Sequence, residues 1–386
     1  MASTVSVDPR DPLHGNVVRP FTIGVEEEFV LVDPATGLPS LTNAAVAACA
    51  CGVELQLELS RCQVETCTPV CANIPEVHRE LRRARLSAVA AAARAGSRPL
   101  AIGVPIWGPP GGSMTDTPRY QRMAERFGSL AEQVICGCHV HVCVPDRDLA
   151  VQVSNHLRPW LPVLLALTAN SPIAEGADTG YASRRHLLWA RWPSAGPPPH
   201  FRSAAHYDDL VAKLVEDGRI LDSAMVYWDV RLSAHLPTIE IRISDVPATV
   251  GETTLLASLV RALVVTSVAA VEGGRPAPVI DQDRLRSACR KAARDGLPGP
   301  QFHTATRHPV PGSGSIAELF AHIRPALEES GDHEFTHDAL AAVLTRGNGA
   351  VRQRSALYSG GPSNVFDVVS RLTTEGCETT EDRQMT

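Results

Sequence analysis

Charged residues placed at alternate positions inside strand-forming apolar runs constrain this chain more than any other feature. The first run is Gly24-Val25-Glu26-Glu27-Glu28-Phe29-Val30-Leu31-Val32. Val and Phe favour strands, whereas acids are poor strand formers. Alternation puts Glu26 and Glu28 on one face and Glu27 on the other. Two like charges roughly 7 Å apart on a half-buried surface repel unless a cation sits between them. Taken alone, the triplet fits an edge strand with a solvated acidic face. Recurrence argues otherwise. His139 and His141 in Cys-His-Val-His-Val repeat the pattern, as do Glu240 and Arg242 in Thr-Ile-Glu-Ile-Arg-Ile. Glu65 in Gln-Val-Glu-Thr adds a single carboxylate in similar surroundings. Each sits among Val or Ile, where an unpaired buried charge is strongly unfavourable. Four such strands predict a sheet whose concave face is lined with Glu, His and Arg. That face suits hard cations, and polyanions through Arg and those cations. On this geometry Glu26 and Glu28 face the ions, while Glu27 points away and tolerates Gln better than its neighbours.

The elements around these strands alternate between helix and strand periods. Strands are expected over 20–33, 53–68 as a pair, 100–104, 134–144, 224–232 and 237–245. Helices are expected over 75–94, 118–132, 146–169 (broken at Pro159 and Pro162), 206–218, 252–271, 282–295, 315–329 and 335–346. A Pro- and Gly-rich stretch at 105–118 reads as a lid loop, and 170–202 as a long functional loop anchored by Trp and Tyr. Residues 1–19 read as a mobile polar arm and 374–386 as a loose polar tail. With no internal repeat and no linker, residues 20–373 are expected to form a single α+β domain.

Composition narrows the function classes. A net charge of −6 gives no reason to expect nucleic acid or an anionic membrane as a partner. The first twenty residues lack an apolar h-region, which points to the cytoplasm, and the apolar stretch 255–271 reads as a core helix interrupted by Arg261. Ten cysteines in a chain of this size are expected to be reduced. Cys136-Gly-Cys138-His139-Val-His141-Val-Cys143 resembles a zinc motif, but strand geometry places Cys136 and Cys138 opposite the other three. Those three span roughly 13 Å, too far for one tetrahedral ion. No Gly-x-x-x-x-Gly-Lys-Ser/Thr is present, which argues against a P-loop enzyme.

Seven strings then appear in order: Gly-Val-Glu-Glu-Glu-Phe, Val-Glu-Thr-Cys-Thr-Pro-Val, Cys-Gly-Cys-His-Val-His-Val, Ala-Asn-Ser-Pro, Asp-Thr-Gly-Tyr-Ala-Ser, Arg-Trp-Pro-Ser-Ala-Gly-Pro-Pro and Glu-Ile-Arg-Ile-Ser-Asp-Val-Pro. Together they resemble the type 2 glutamate–cysteine ligases, also called carboxylate–amine ligases, over residues 20–372. The resemblance implies a glutamine-synthetase-like catalytic fold, a curved antiparallel sheet forming an open funnel with helices outside. It also implies ATP- and Mg²⁺- (or Mn²⁺-) dependent joining of a carboxylate to an amine through an acyl phosphate, with small-molecule substrates and a possible homodimer. Carried over, Glu26, Glu28, Glu65, Glu240 and His139 match metal-binding positions. His139, His141 and Arg242 match the nucleotide site, and Arg242, Arg185 and Arg191 are the candidate catalytic arginines. Cys143 stands where the family has glycine and Leu232 where proline is common. The loop 103–113 and the segment 298–312 also depart from the pattern. These differences touch substrate-facing loops.

Two other readings remain open at this level. His-x-His opens some metal-dependent amidohydrolase sites, but those want His-rich ligands, whereas this set is mostly Glu. A non-catalytic relative that binds nucleotide or metabolite has little use for several metal carboxylates.

Overall fold

A computed structural model describes residues 21–108, 114–302 and 309–377. The expected mobile arm, most of the expected tail and the tip of the expected lid loop lie outside the described residues. At the near end of the tail, Thr374 closes a helix and Cys377 is buried.

The main sheet is antiparallel and open. Its strands are β1 (Ile23–Val32), β2 (Leu55–Leu57), β3 (Gln63–Cys67), β4 (Arg98–Leu100), β5 (Gly137–Cys143), β6 (Val230–Leu232) and β7 (Thr238–Asp245). They run in the order β2-β3-β1-β5-β7-β6, with β4 paired to the far end of β1. The expected fold, an open antiparallel sheet with helices packed outside, is therefore present.

One sheet face is apolar. Val25, Cys138, Val140, Val142, Ile239, Ile241 and Ile243 are buried in the larger core. The helices Ile74–Arg94 and Val250–Glu272 pack on each other behind β1 and β5. Val250–Glu272 is long and apolar enough to cross a membrane, yet nearly three quarters of its apolar window is buried inside the protein. It is the core helix that its sequence predicts. A second core gathers Phe29, Leu31, Val64, Leu100 and Ile102 with Val365 and Val369.

Glu27 corrects the sequence reading. It does point away from the funnel, but into the protein, where it is fully buried and paired with fully buried Arg85. Arg85 donates to both Glu27 oxygens at 3.0 and 2.5 Å, and Thr253 Oγ1 donates to the same carboxylate at 2.6 Å. Backbone oxygens of Pro247, Ala248 and Thr373 take the remaining guanidinium hydrogens. A residue holding the charge of a buried arginine is no site of tolerance.

Other elements also differ from expectation. The strand expected at 100–104 ends at Leu100, because the next residues serve other partners. Ala101 N–H donates to Thr373 Oγ1, and Gly103 N–H donates to the Asn170 carbonyl. The strand expected over 224–232 shortens to β6 behind a 3-10 turn at Ser223–Met225. A long helix, Gly349–Thr374, forms where none was expected. Asn348 caps it by accepting from Val351 N–H at 3.2 Å. Gly361, with φ of 72°, kinks it, and Pro362 restarts it.

Candidate active site

The polar face is assembled by register. Glu26 lies opposite Cys67 of β3 on one side and His139 of β5 on the other, and Glu28 lies opposite Glu65. His141 faces Glu240 of β7, which in turn faces Arg231 of β6. A bulge between Cys138 and Val140 adds one residue on β7 and brings Arg242 beside His139, with Nη1 3.4 Å from Nδ1. Cys136 and Cys138 lie in the buried cores instead, as the strand argument predicts.

Distances across this face are short. Glu26 Oε2 is 2.8 Å from His139 Nδ1, and Glu26 Oε1 is 3.1 Å from His141 Nε2. Glu28 accepts from the Gly137 backbone N–H at 2.6 Å and lies 3.8 Å from His139 Nε2. Glu240 is bound by both Arg231 nitrogens at 2.7 and 3.1 Å and by Arg242. Three overlapping donor groups result: Glu26–His139–Glu240, Glu28–Glu65–His139 and Glu26–Glu65–Cys67, each with all donor atoms within 4.8 Å.

Their electrostatics fall into two classes. Burial opposes charge on Glu26, but hydrogen bonds from His139 and His141 hold its carboxyl well below the usual range. Burial likewise opposes charge on Glu240, yet Arg242 and Arg231 hold it low. Glu65 behaves oppositely: burial, then the charges of Glu58, Glu26 and Glu28, push its carboxyl well up. Glu58 is pushed up to about 8 by burial and then by Glu28. Burial and the Arg242 charge lower His139, so its ring is a neutral nitrogen donor. Burial and the Glu65 carboxylate raise the Cys67 thiol.

A cavity of about 250 Å³ opens over this face. Glu26, Glu28, Glu65, His139, Arg185 and Arg242 line one part of it, and Trp189, Trp192, Tyr227 and Tyr120 line the other. Trp189 and Tyr227 pack with tilted rings, centroids 4.4 Å apart, and the guanidinium carbons of Arg185 and Arg242 both lie 5.9 Å from the Trp189 ring. The long loop therefore supplies an ordered wall: Ser183 caps the short helix Arg184–Trp189, which carries Arg185 and Trp189 into the cavity. The Arg185 guanidinium lies against the sheet at Gly137. A Cβ there would stand 2.2 Å from Arg185 Nη2.

Most predicted residues converge here. His141 adjoins Glu26 from beneath the cavity, where its Nδ1 lies 3.0 Å from Thr238 Oγ1. Arg191 stands apart, lining a neighbouring cavity with Glu132, Glu175 and Arg184. Four site residues were not singled out from sequence: Glu58, Cys67, Arg119 and Arg231. Cys67 had a usable signal, since it stands two residues after Glu65 and so shares its face. Arg231 had one too, as the polar residue of a short strand before β7. Glu58 falls inside the stretch expected as paired strands, directly after β2, whereas Arg119 comes from a helix, where alternation carries no information.

The sequence matches the profile described as glutamate-cysteine ligase family 2 over residues 22–365. The chain belongs to the glutamate–cysteine ligase family 2. A relative from Nocardia farcinica, provisionally named glutamate–cysteine ligase 2-1, is 54% identical over 92% of this chain and 94% of its own length. Among solved structures, the fold is similar to a bifunctional glutathione synthetase from Pasteurella multocida, with a TM-score of 0.67 at 16% identity. That match covers 92% of this chain and 52% of the other, so this chain spans about half of the bifunctional protein. It is also similar to a glutamate–cysteine ligase from Francisella tularensis crystallised with AMP, with a TM-score of 0.65 at 12% identity over 93% and 89% of the two chains. At these identities the structural likeness is one of fold. Family 2 membership counts against the amidohydrolase reading, and so does the donor set, which is mostly carboxylate rather than histidine.

The donor set has the chemistry of a divalent-cation site. His139 is 3% exposed, and its Nε2 has no hydrogen-bond partner although four carboxylates share donor groups with the ring. Carboxylates that repel one another beside an unused ring nitrogen are a cation-binding arrangement.

Proposed function

We propose that this protein is an ATP- and Mg²⁺-dependent carboxylate–amine ligase that joins L-glutamate to L-cysteine through their γ-carboxyl and amino groups. The observation that carries this reading is the convergence of Glu26, Glu28, Glu65, Glu240 and His139 on one sheet face beneath a cavity that also holds Arg185 and Arg242. In this reading those five side chains would hold Mg²⁺ or Mn²⁺, which would supply positive charge against the triphosphate. The chain's own cations complete the site. Arg242, fixed by Glu240 and by its place beside His139, presents positive charge toward the transferring phosphoryl group. Arg185 presents a second one across Gly137.

A γ-carboxylate oxygen of glutamate attacks the γ-phosphorus of ATP and releases ADP, giving an acyl phosphate. The amine then attacks the acyl carbon, phosphate leaves, and the amine loses a proton as the amide forms. The aromatic wall of Trp189, Trp192 and Tyr227 protects the acyl phosphate from water, which would otherwise waste the ATP. Arg191 belongs to the neighbouring cavity, so its part is in the surroundings of the site and not in phosphoryl transfer. A cytoplasmic location, a single catalytic domain over residues 20–373 and a homodimer accompany this reading.

The test is ADP release with L-glutamate and L-cysteine, with mass-spectrometric detection of γ-glutamylcysteine. Glu26→Gln and Glu240→Gln should each lower the Mg²⁺-dependent rate by at least about 100-fold while circular dichroism shows a folded chain. Full activity in either variant would remove the metal assignment. ADP release that needs a different acid or amine would keep the chemistry and replace the substrates.

A further inference from the structure

Asp229 is a fully buried carboxylate, and neither of its oxygens has a hydrogen-bond partner. A charge left unpaired in the interior costs stability, and its retention calls for an explanation. Asp245 shows the contrast. It is equally buried, yet it accepts from the Asn170 N–H and from the Ser171 and Ser183 hydroxyls at 2.7 to 2.8 Å. Asp245 is tied into the frame, and Asp229 is left open.

The β6–β7 register shows which groups Asp229 can serve. Arg231 lies opposite Glu240, and Val230 lies opposite Ile241. One step further, the Arg242 N–H donates to the Asp229 carbonyl at 2.8 Å, so Asp229 sits across from Arg242. Arg185 reaches the same point. Its Nη2 donates to the Arg242 carbonyl at 3.4 Å and its Nη1 to the Ile243 carbonyl at 3.5 Å, both long bonds. The Nε atoms of Arg185 and Arg242 are buried without a partner. Burial pushes the Asp229 carboxyl up to about 7, and Arg185 and then Arg242 are the charges that oppose the rise. An unpaired carboxylate and two unpaired guanidinium nitrogens thus share one corner of the site.

Arg242 draws its counter-charge first from Glu240, then from Glu26 and Glu28. All three are cation ligands in the proposed function, on which the catalytic part of this inference rests. Divalent ions that take those carboxylates leave Arg242 buried beside added positive charge. We propose that Asp229 is a positioning residue, a reserve counter-charge to which the Arg242 Nε–H turns when Glu240 is engaged elsewhere. The turn leaves the Nη groups of Arg242 for phosphoryl oxygens and sets a carboxylate behind Arg185 as well.

The first test needs no ligase activity. Urea midpoints are measured at pH 8 on the full chain, without divalent ions, for Asp229→Asn, Glu240→Gln and the two together. Asp229→Asn alone should leave the midpoint unchanged or raise it, because it removes an unpaired carboxylate. The double variant should fall by more than the two single shifts combined, since Arg242 then loses both counter-charges. Additive shifts, or a lowered midpoint in Asp229→Asn alone, overturn the proposal. Nuclear magnetic resonance of isotope-labelled arginine covers a double variant that does not fold. In Glu240→Gln the Arg242 Nε–H resonance, assigned by its loss in Arg242→Lys, should move downfield and exchange more slowly than in the unaltered chain. An unmoved resonance overturns the proposal. In the ligase assay Asp229→Asn should lower kcat roughly 10–100-fold and keep KM for ATP within about threefold. An unchanged kcat overturns the positioning role. An unaltered chain that fails the ligase assay but shows the non-additive midpoints would instead overturn the proposed function and leave the Asp229–Arg242 pairing standing.

Discussion

Neighbouring carboxylates in β1 have opposite fates, and a side chain's face decides which. Glu26 meets two histidines at the cavity floor, whereas Glu27 meets Arg85 in the core. Removing one partner of a buried pair leaves the other charge without compensation, so Glu27→Gln should cost about 3–5 kcal/mol. Urea unfolding measures this. Glu26→Gln, whose side chain is 25% exposed to the cavity, should show a smaller stability change despite its loss of activity. Gly137 gives a second residue-scale prediction. Gly137→Ala places a methyl group on the Arg185 guanidinium, so it should lower kcat/KM by roughly 10–100-fold, the range seen when a positioning group is disturbed. Adding Arg185→Ala to it should then cost little more, because the two changes remove the same contact. Additive losses would show that Gly137 matters for another reason.

Among the elements, the funnel strands were legible because alternation leaves a mark in the sequence. Glu26/Glu28, His139/His141 and Glu240/Arg242 each span two positions, and each pair reaches the same face. The helix Gly349–Thr374 left no such mark, since Gly349, Gly360, Gly361 and Pro362 read as breakers. Two of them instead have structural duties. Gly361 takes the positive φ at the kink, and Gly349 lets the helix start against Asn170. The Asn170 side chain donates to the carbonyls of Ala101 and Val246 and accepts from Gln353, tying the loop, the sheet end and the helix together. A Cβ at residue 349 would lie 1.8 Å from Asn170 Oδ1. Gly349→Ala should therefore destabilise the protein by about 1–3 kcal/mol, read as a lower urea midpoint with an unchanged m-value. An unaltered midpoint would mean that the helix start can shift without disturbing Asn170. Arg119 remained illegible for a different reason: it stands on a helix, and tertiary folding, not strand period, brings it to the cavity.

For the whole molecule, the acidic face makes stability depend on pH and on divalent ions together. Glu58, pushed up to about 8, and Glu65, raised in the same sense, stay protonated in the folded chain where the unfolded chain has ionised them. A raised folded value contributes stability that is complete below the unfolded carboxyl range and is lost as pH climbs toward 8. Glu26 and Glu240 act in the other direction, but their loss falls on the acid side, below about 4.5. The metal-free chain should thus melt at a higher temperature at pH 6 than at pH 8, and Mg²⁺ should narrow that gap by favouring the ionised carboxylates. Thermal melts in chelator and in Mg²⁺ at both pH values test this; equal curves would show that these carboxyls are not raised. The long C-terminal helix also ties the ion pair behind β1 to a distant part of the chain. Arg85 Nη1 donates to the Thr373 carbonyl at 3.2 Å, and Ala101 N–H donates to the Thr373 hydroxyl at 2.9 Å. The cation that neutralises β1 thus lacks one acceptor until a helix 288 residues further along the chain has docked.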